Sequence, residues 1–129
     1  MKVAFIRHPY MDGEVEVEAR KSADILRQKG FQGNVTVYCS PKIRTQIVSA
    51  VIAKENGYSK PIGSEAIGLD DGEKSGRVFW TDCEKNGIAA TLGHTGGGML
   101  VLVTHEPVIK AVTGRKQIDY GEVVVLELP

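Results

Sequence analysis

The chain has 129 residues, 42% of them hydrophobic and 25% charged, which is enough for one domain with a real core and leaves little room for a second. Sixteen Lys and Arg balance sixteen Asp and Glu, so the composition speaks against disorder and against a nucleic-acid-coating surface, and any positive field must be local.

Cys39 and Cys83 are too few and too far apart in sequence for a disulfide framework or a CxxC-type metal cluster, so reduced, partly buried thiols are expected. The opening stretch MKVAFIRHPY has an apolar run of only four residues before an arginine, far short of a signal-peptide core or a membrane span. A cytoplasmic location with no membrane partner is the expectation.

Val3 to Ile6 reads as a buried parallel strand whose carboxyl end, Arg7-His8, opens toward a ligand crevice; Pro9 stops it. Glu16 to Lys29 follows a helical period, with Gly30 at its exit. Asn34 to Cys39 is a second, β-branched strand, and Ser40-Pro41 places an N-cap residue before a helix from about Pro41 to Glu55. The period assigns Ile43, Ile47, Ala50, Val51 and the stem of Lys54 to its inner face.

Pro61 to Lys74, with its glycines and the acids Asp70, Asp71 and Glu73, reads mostly as loop, with one short strand near Ala66 to Leu69. Val78 to Leu92 has the apolar content of a helix, although Gly87 interrupts it, and Gly96-Gly97-Gly98 is a flexible break too far from a helix start to be a phosphate loop. Met99 to Val103 is the clearest buried strand. It ends in Thr104-His105-Glu106-Pro107 as the first ends in Arg7-His8-Pro9. Val108 to Val112 then reads as a short helix closed near Gly114, and Glu122 to Leu128 as a last strand. Strands alternating with helices imply a layered α/β fold with a largely parallel sheet.

Parallel strands share one carboxyl edge, so Arg7, His8, Ser40, Arg44 and His105 can converge there although they are scattered in sequence. A neutral imidazole offers an in-line lone pair to phosphorus. Arginines suit phosphoryl oxygens because the guanidinium makes two parallel hydrogen bonds and stays charged. Fixed donors around a transferring phosphoryl group supply the charge stabilisation such chemistry needs, and no metal or other cofactor is required.

Three stretches carry a resemblance to the histidine phosphatase superfamily, the phosphoglycerate mutase-like proteins, and within it to the small SixA-like phosphohistidine phosphatases. VAFIRHP resembles the strand ending in Arg-His-Gly, YCSPKIRTQIVSAVIA the Ser-Pro-x-x-Arg helix start, and VLVTHEPVIKAVTG the second histidine segment. The resemblance spans about residues 3 to 128. It implies a single domain over 1–129, built as a three-layer α/β/α sandwich on a largely parallel, mixed sheet. It also implies His8 as nucleophile, Arg7 and Arg44 as phosphate clamps, and His105 as a second imidazole donating to the phosphoryl oxygens. Ser40 is expected to cap its helix and not to touch substrate; Thr45 and Thr104 line up near the site, and each is equally well a helix-surface or a strand-end threonine.

Two departures from the family pattern matter. Pro9 stands where the family has glycine and supplies no backbone N–H. The general acid is not fixed by the pattern: Glu106 is the best-placed candidate, with the alternative that it caps the following helix. A phosphoramidate, whose ring nitrogen can leave already protonated, asks less of a protein acid than a sugar phosphate does. The chain also lacks long insertions that would close a pocket. A phosphohistidine protein or a small phosphorylated compound is therefore the expected partner, with no nucleic acid. The alternatives are a catalytically impaired phosphate- or phosphoprotein-binding module and, ranked lower, a phosphomutase.

Overall fold

The structure is a computed structural model that describes residues 1–10, 14–68 and 72–129. Its centre is a five-stranded sheet formed by β1 (Lys2–Arg7), β2 (Val35–Cys39), β3 (Ile62–Gly63), β4 (Met99–Thr104) and β5 (Val123–Glu127), in the order β3-β2-β4-β1-β5. The first four strands run parallel and β5 is antiparallel to β1.

β1 and β4 hold the middle of the sheet, and both are apolar on both faces, as a strand covered on two sides must be. Alternation along them divides the core. Ala4, Ile6, Val101 and Val103 pack with Val35 and Val37 under α1 (Val15–Gln28) and α2 (Ile43–Asn56). Val3, Phe5, Leu100 and Leu102 pack against Phe79, Val108 and Ile109 of α3 (Glu73–Asn86) and α5 (Glu106–Thr113), with Ile88 of α4 (Ile88–Leu92). This is the expected three-layer α/β/α sandwich with a mixed, largely parallel sheet.

α3 and α5 approach closely because α3 carries Gly76: a Cβ there would lie 2.5 Å from the Pro107 carbonyl oxygen. Both cysteines are free and buried. Among the described residues no helix is long and apolar enough to cross a membrane.

Several boundaries differ from the sequence reading. The expected single helix over Val78 to Leu92 is two: α3 begins earlier, at Glu73, and Gly87, at φ +86°, turns the chain before α4. The short strand expected near Ala66 to Leu69 lies instead at Ile62–Gly63, and Glu65–Ile67 form a 3-10 turn. Asp70 and Asp71 lie outside the described residues.

The inner face of α2 is also not the predicted one. Ile43 is 73% and Ile47 42% exposed, while Thr45, Val48, Ser49, Ile52 and Ala53 are buried. The hydroxyls of Thr45 and Ser49 bond carbonyls of Lys42 and Thr45 at 2.8 and 2.6 Å, which removes the cost of burying them.

Candidate active site

The site begins with register. β1 and β4 pair Ile6 with Val103 and Arg7 with Thr104, so the next residues of the two strands, His8 and His105, leave the sheet side by side. Their ring centroids are 5.4 Å apart at an interplanar angle of 69°, and both are buried. On the other flank of β4, Cys39 pairs with Val103, which brings Ser40 and the start of α2 to the same edge. His8, His105, Arg7, Arg44 and Ser40 are thus brought together at the carboxyl end of the parallel strands.

The Nδ1 atom of His8 lies 2.9 Å from the carbonyl oxygen of Pro9. A carbonyl can only accept, so the ring proton sits on Nδ1 and the lone pair is on Nε2. Pro9 lacks an N–H but keeps this carbonyl, and it fixes the tautomer a nucleophile requires. The His8 pKa is lowered from its usual value, by burial first; the Pro9 hydrogen bond works in the opposite direction, and the charges of Arg44 and Arg7 add to the lowering. Neutral imidazole is therefore the form held at neutral pH.

His105 occupies the N-cap position of α5. Its Nε2 lies 2.8 Å from Ser40 Oγ, which in turn lies 2.8 Å from Thr45 Oγ1 and accepts the Lys42 N–H at 3.3 Å. Burial, then His8, Arg44, Lys42 and Arg7, push its pKa down to about 4. Its Nδ1 is buried with no hydrogen-bond partner among the described residues, as are Nε of Arg7 and Nε of Arg44. Three nitrogens of the predicted phosphate-binding residues are thus left without a protein acceptor, an arrangement suited to an anion.

Ser40 was expected to cap the helix, and the structure corrects this. α2 starts at Ile43 with Lys42 at the N-cap position, and the Ser40 hydroxyl serves His105. Thr45 is fully buried, and its hydroxyl has one proton for three acceptors within reach, Lys42 O at 2.8 Å, Ser40 O at 2.9 Å and Ser40 Oγ at 2.8 Å. The spacing of Ser40 and Thr45, one helix entry apart, is the signal that could have linked them. Thr104 donates to Ile67 O at 2.7 Å and ties the strand end to the 3-10 turn.

Arg7 is gripped from several sides. Nη1 bonds Glu106 Oε2 at 3.1 Å and Ile118 O at 2.5 Å, and the guanidinium carbon lies 3.8 Å from the Tyr120 ring centroid. Glu106 Oε2 also accepts the Ile118 N–H at 3.1 Å. The carboxylate expected as an acid or a helix cap is seen in a different task, holding Arg7 to the loop before β5.

No protein-family model matches the sequence, and no curated protein matches it. Solved structures share its fold. The vanadate complex of mycobacterial glucosyl-3-phosphoglycerate phosphatase superposes with a TM-score of 0.68 at 11% identity, over 98% of this chain and 90% of that one. A putative phosphohistidine phosphatase SixA from Agrobacterium tumefaciens gives 0.65 at 14% identity, over 98% and 90%. Phosphoglycerate mutase from Plasmodium falciparum gives 0.54 at 20% identity, over 86% and 65%. The chain shares the fold of these phosphatase and phosphoglycerate mutase structures, the phosphoglycerate mutase-like fold that the sequence resemblance implied.

Proposed function

We propose that the protein is a metal-independent phosphatase that passes a phosphoryl group through His8. The observation that carries this is the pairing of two buried imidazoles, 5.4 Å apart where β1 and β4 end side by side, with Nδ1 of His8 held on the Pro9 carbonyl. Nε2 attacks phosphorus, the bond to the leaving group breaks, and Nε2 becomes phosphorylated while Nδ1 keeps its proton. Water then attacks phosphorus, and the ring departs neutral as inorganic phosphate forms. Arg7 and Arg44 supply positive charge, and they and His105 supply N–H donors, to the phosphoryl oxygens.

The His105 role requires a proton on Nδ1. Either Ser40 or the imidazole donates in their hydrogen bond; donation by Ser40, with Thr45 turning its own proton toward Ser40 Oγ, is the arrangement that leaves Nδ1–H for the phosphoryl group. Glu106 acts first as the tether of Arg7; a proton delivered by it would ride on Oε1, because Oε2 is committed to Arg7 and Ile118.

As substrate we favour phosphohistidine in a protein, or a small phosphorylated compound, acted on in the cytoplasm. Support comes from the modest demand a phosphoramidate makes on an acid, and from similarity to a structure named as SixA. The test is turnover of a phosphohistidine peptide, a sugar phosphate and an aryl phosphate by wild type and His8→Ala. His8→Ala should be inactive on all three, and the peptide should be the best substrate of the wild type. A mutant as active as the wild type refutes the nucleophile. Saturable phosphate binding without turnover in the wild type would identify a binding module instead.

A further inference from the structure

Beside His8 the rim of the site is aromatic. Tyr120 packs against the His8 ring at 5.9 Å between centroids and against Tyr10 at 5.3 Å, and its face is covered by Arg7. Yet Tyr10 and Tyr120 are 57% and 50% exposed, so each still presents ring surface to solvent next to the nucleophile.

Tyr120 is held in place by the backbone. Gly121 N–H donates to Arg7 O at 2.9 Å and Arg7 N–H to Glu122 O at 3.2 Å, while Arg7 Nη1 donates to Ile118 O at 2.5 Å, so the loop before β5 is fastened to Arg7 both before and after Tyr120. Ser22 of α1 adds a bond to Gly121 O at 3.3 Å. Such a preset aromatic surface binds a flat ring at little ordering cost, and it offers a sugar's hydroxyls mostly ring edges and faces.

We propose that Tyr10 and Tyr120 form a leaving-group subsite that selects planar aromatic leaving groups, an imidazole or aryl ring, stacked beside His8. Tyr120 has a second duty there as the positioning residue of Arg7, through the stacked guanidinium. The inference rests on the phosphatase reading and adds to it the residues that set its substrate class.

Two small donors with the same P–N bond isolate the ring: phosphoimidazole, which releases imidazole, and phosphoramidate, which releases ammonia. The quantity read is the ratio of their kcat/KM values. Tyr120→Leu should lower that ratio about tenfold and Tyr10→Leu should lower it in the same direction, whereas Tyr120→Phe should keep it within about twofold of wild type. Loss of Arg7 positioning alone would slow both donors equally and leave the ratio unmoved, and that result overturns the subsite. Tyr120→Phe falling as far as Tyr120→Leu also overturns it, because the hydroxyl and not the ring would then be responsible. Transfer from neither donor in the wild type removes the phosphatase reading and the subsite together; transfer from both with an unmoved ratio removes the subsite alone.

Discussion

Ser40 Oγ lies 2.8 Å from Nε2 of His105, and this contact sets which nitrogen of that imidazole is left to face an anion. With Ser40 as donor, Nδ1 carries the proton. Ser40→Ala removes the constraint at a buried position, and we predict a fall in kcat/KM of about tenfold to hundredfold, the range found when the partner orienting a functional histidine is lost at metal sites. The melting temperature should move little by comparison. The 15N shifts of the His105 ring should report Nδ1–H in the wild type and a tautomer mixture in the variant.

Glu106→Gln tests the tether. The amide still reaches Arg7 and Ile118 but no longer carries charge, so activity should fall by a similar factor on phosphoramidates and alkyl phosphates. A further loss of about a hundredfold confined to alkyl phosphates would mark Glu106 as the proton donor as well. Paired kcat/KM measurements on the two classes decide.

Stability should depend on pH through His105. Its folded pKa, about 4, lies below the usual 6.5, so the unfolded chain binds the proton first as pH falls. The stabilising difference is intact above about pH 6.5 and is lost progressively toward pH 4, amounting to at most about 3 kcal/mol. His8 contributes in the same direction. Urea titrations across this range should show a slope that His105→Gln flattens.

Gly76→Ala should destabilise the protein by about 1–3 kcal/mol, since the added methyl meets the Pro107 carbonyl and α5 must shift. Because Pro107 follows Glu106 and His105, activity should fall with it; calorimetry and turnover on the same sample check both.

Chelation provides a separate check on the charge inventory. If Arg7, Arg44 and His105 are the phosphoryl-binding groups, prolonged treatment with EDTA should leave kcat within about twofold, as expected where fixed side-chain donors supply the electrostatic stabilisation.

Much of this site was legible in the sequence because strand ends are easy to read. Apolar runs over Val3–Ile6 and Met99–Val103, each closed by a histidine, predict their own pairing once the sheet is parallel. Arg44 was legible from its place at a helix entry. What stayed hidden depends on hydrogen bonding across elements. Thr45 and Ser49 look like surface residues until their hydroxyls are seen bonded to carbonyls, so the inner face of α2 was assigned to Ile43 and Ile47. The linkage of Ser40 to His105 and of Glu106 to Arg7 joins residues 65 and 99 positions apart, beyond any local pattern. Tyr120 escaped notice for the same reason: only the closure of the loop before β5 onto β1 brings it over Arg7.

The account turns on His8 carrying the phosphoryl group. The most direct measurement is to mix the protein with phosphoramidate, quench in alkali during turnover and map the modified residue by mass spectrometry. We predict one added phosphoryl group on His8, stable in alkali, lost in mild acid, and absent from His8→Ala. Turnover that persists in His8→Ala, or a label that survives acid on another residue, would contradict it.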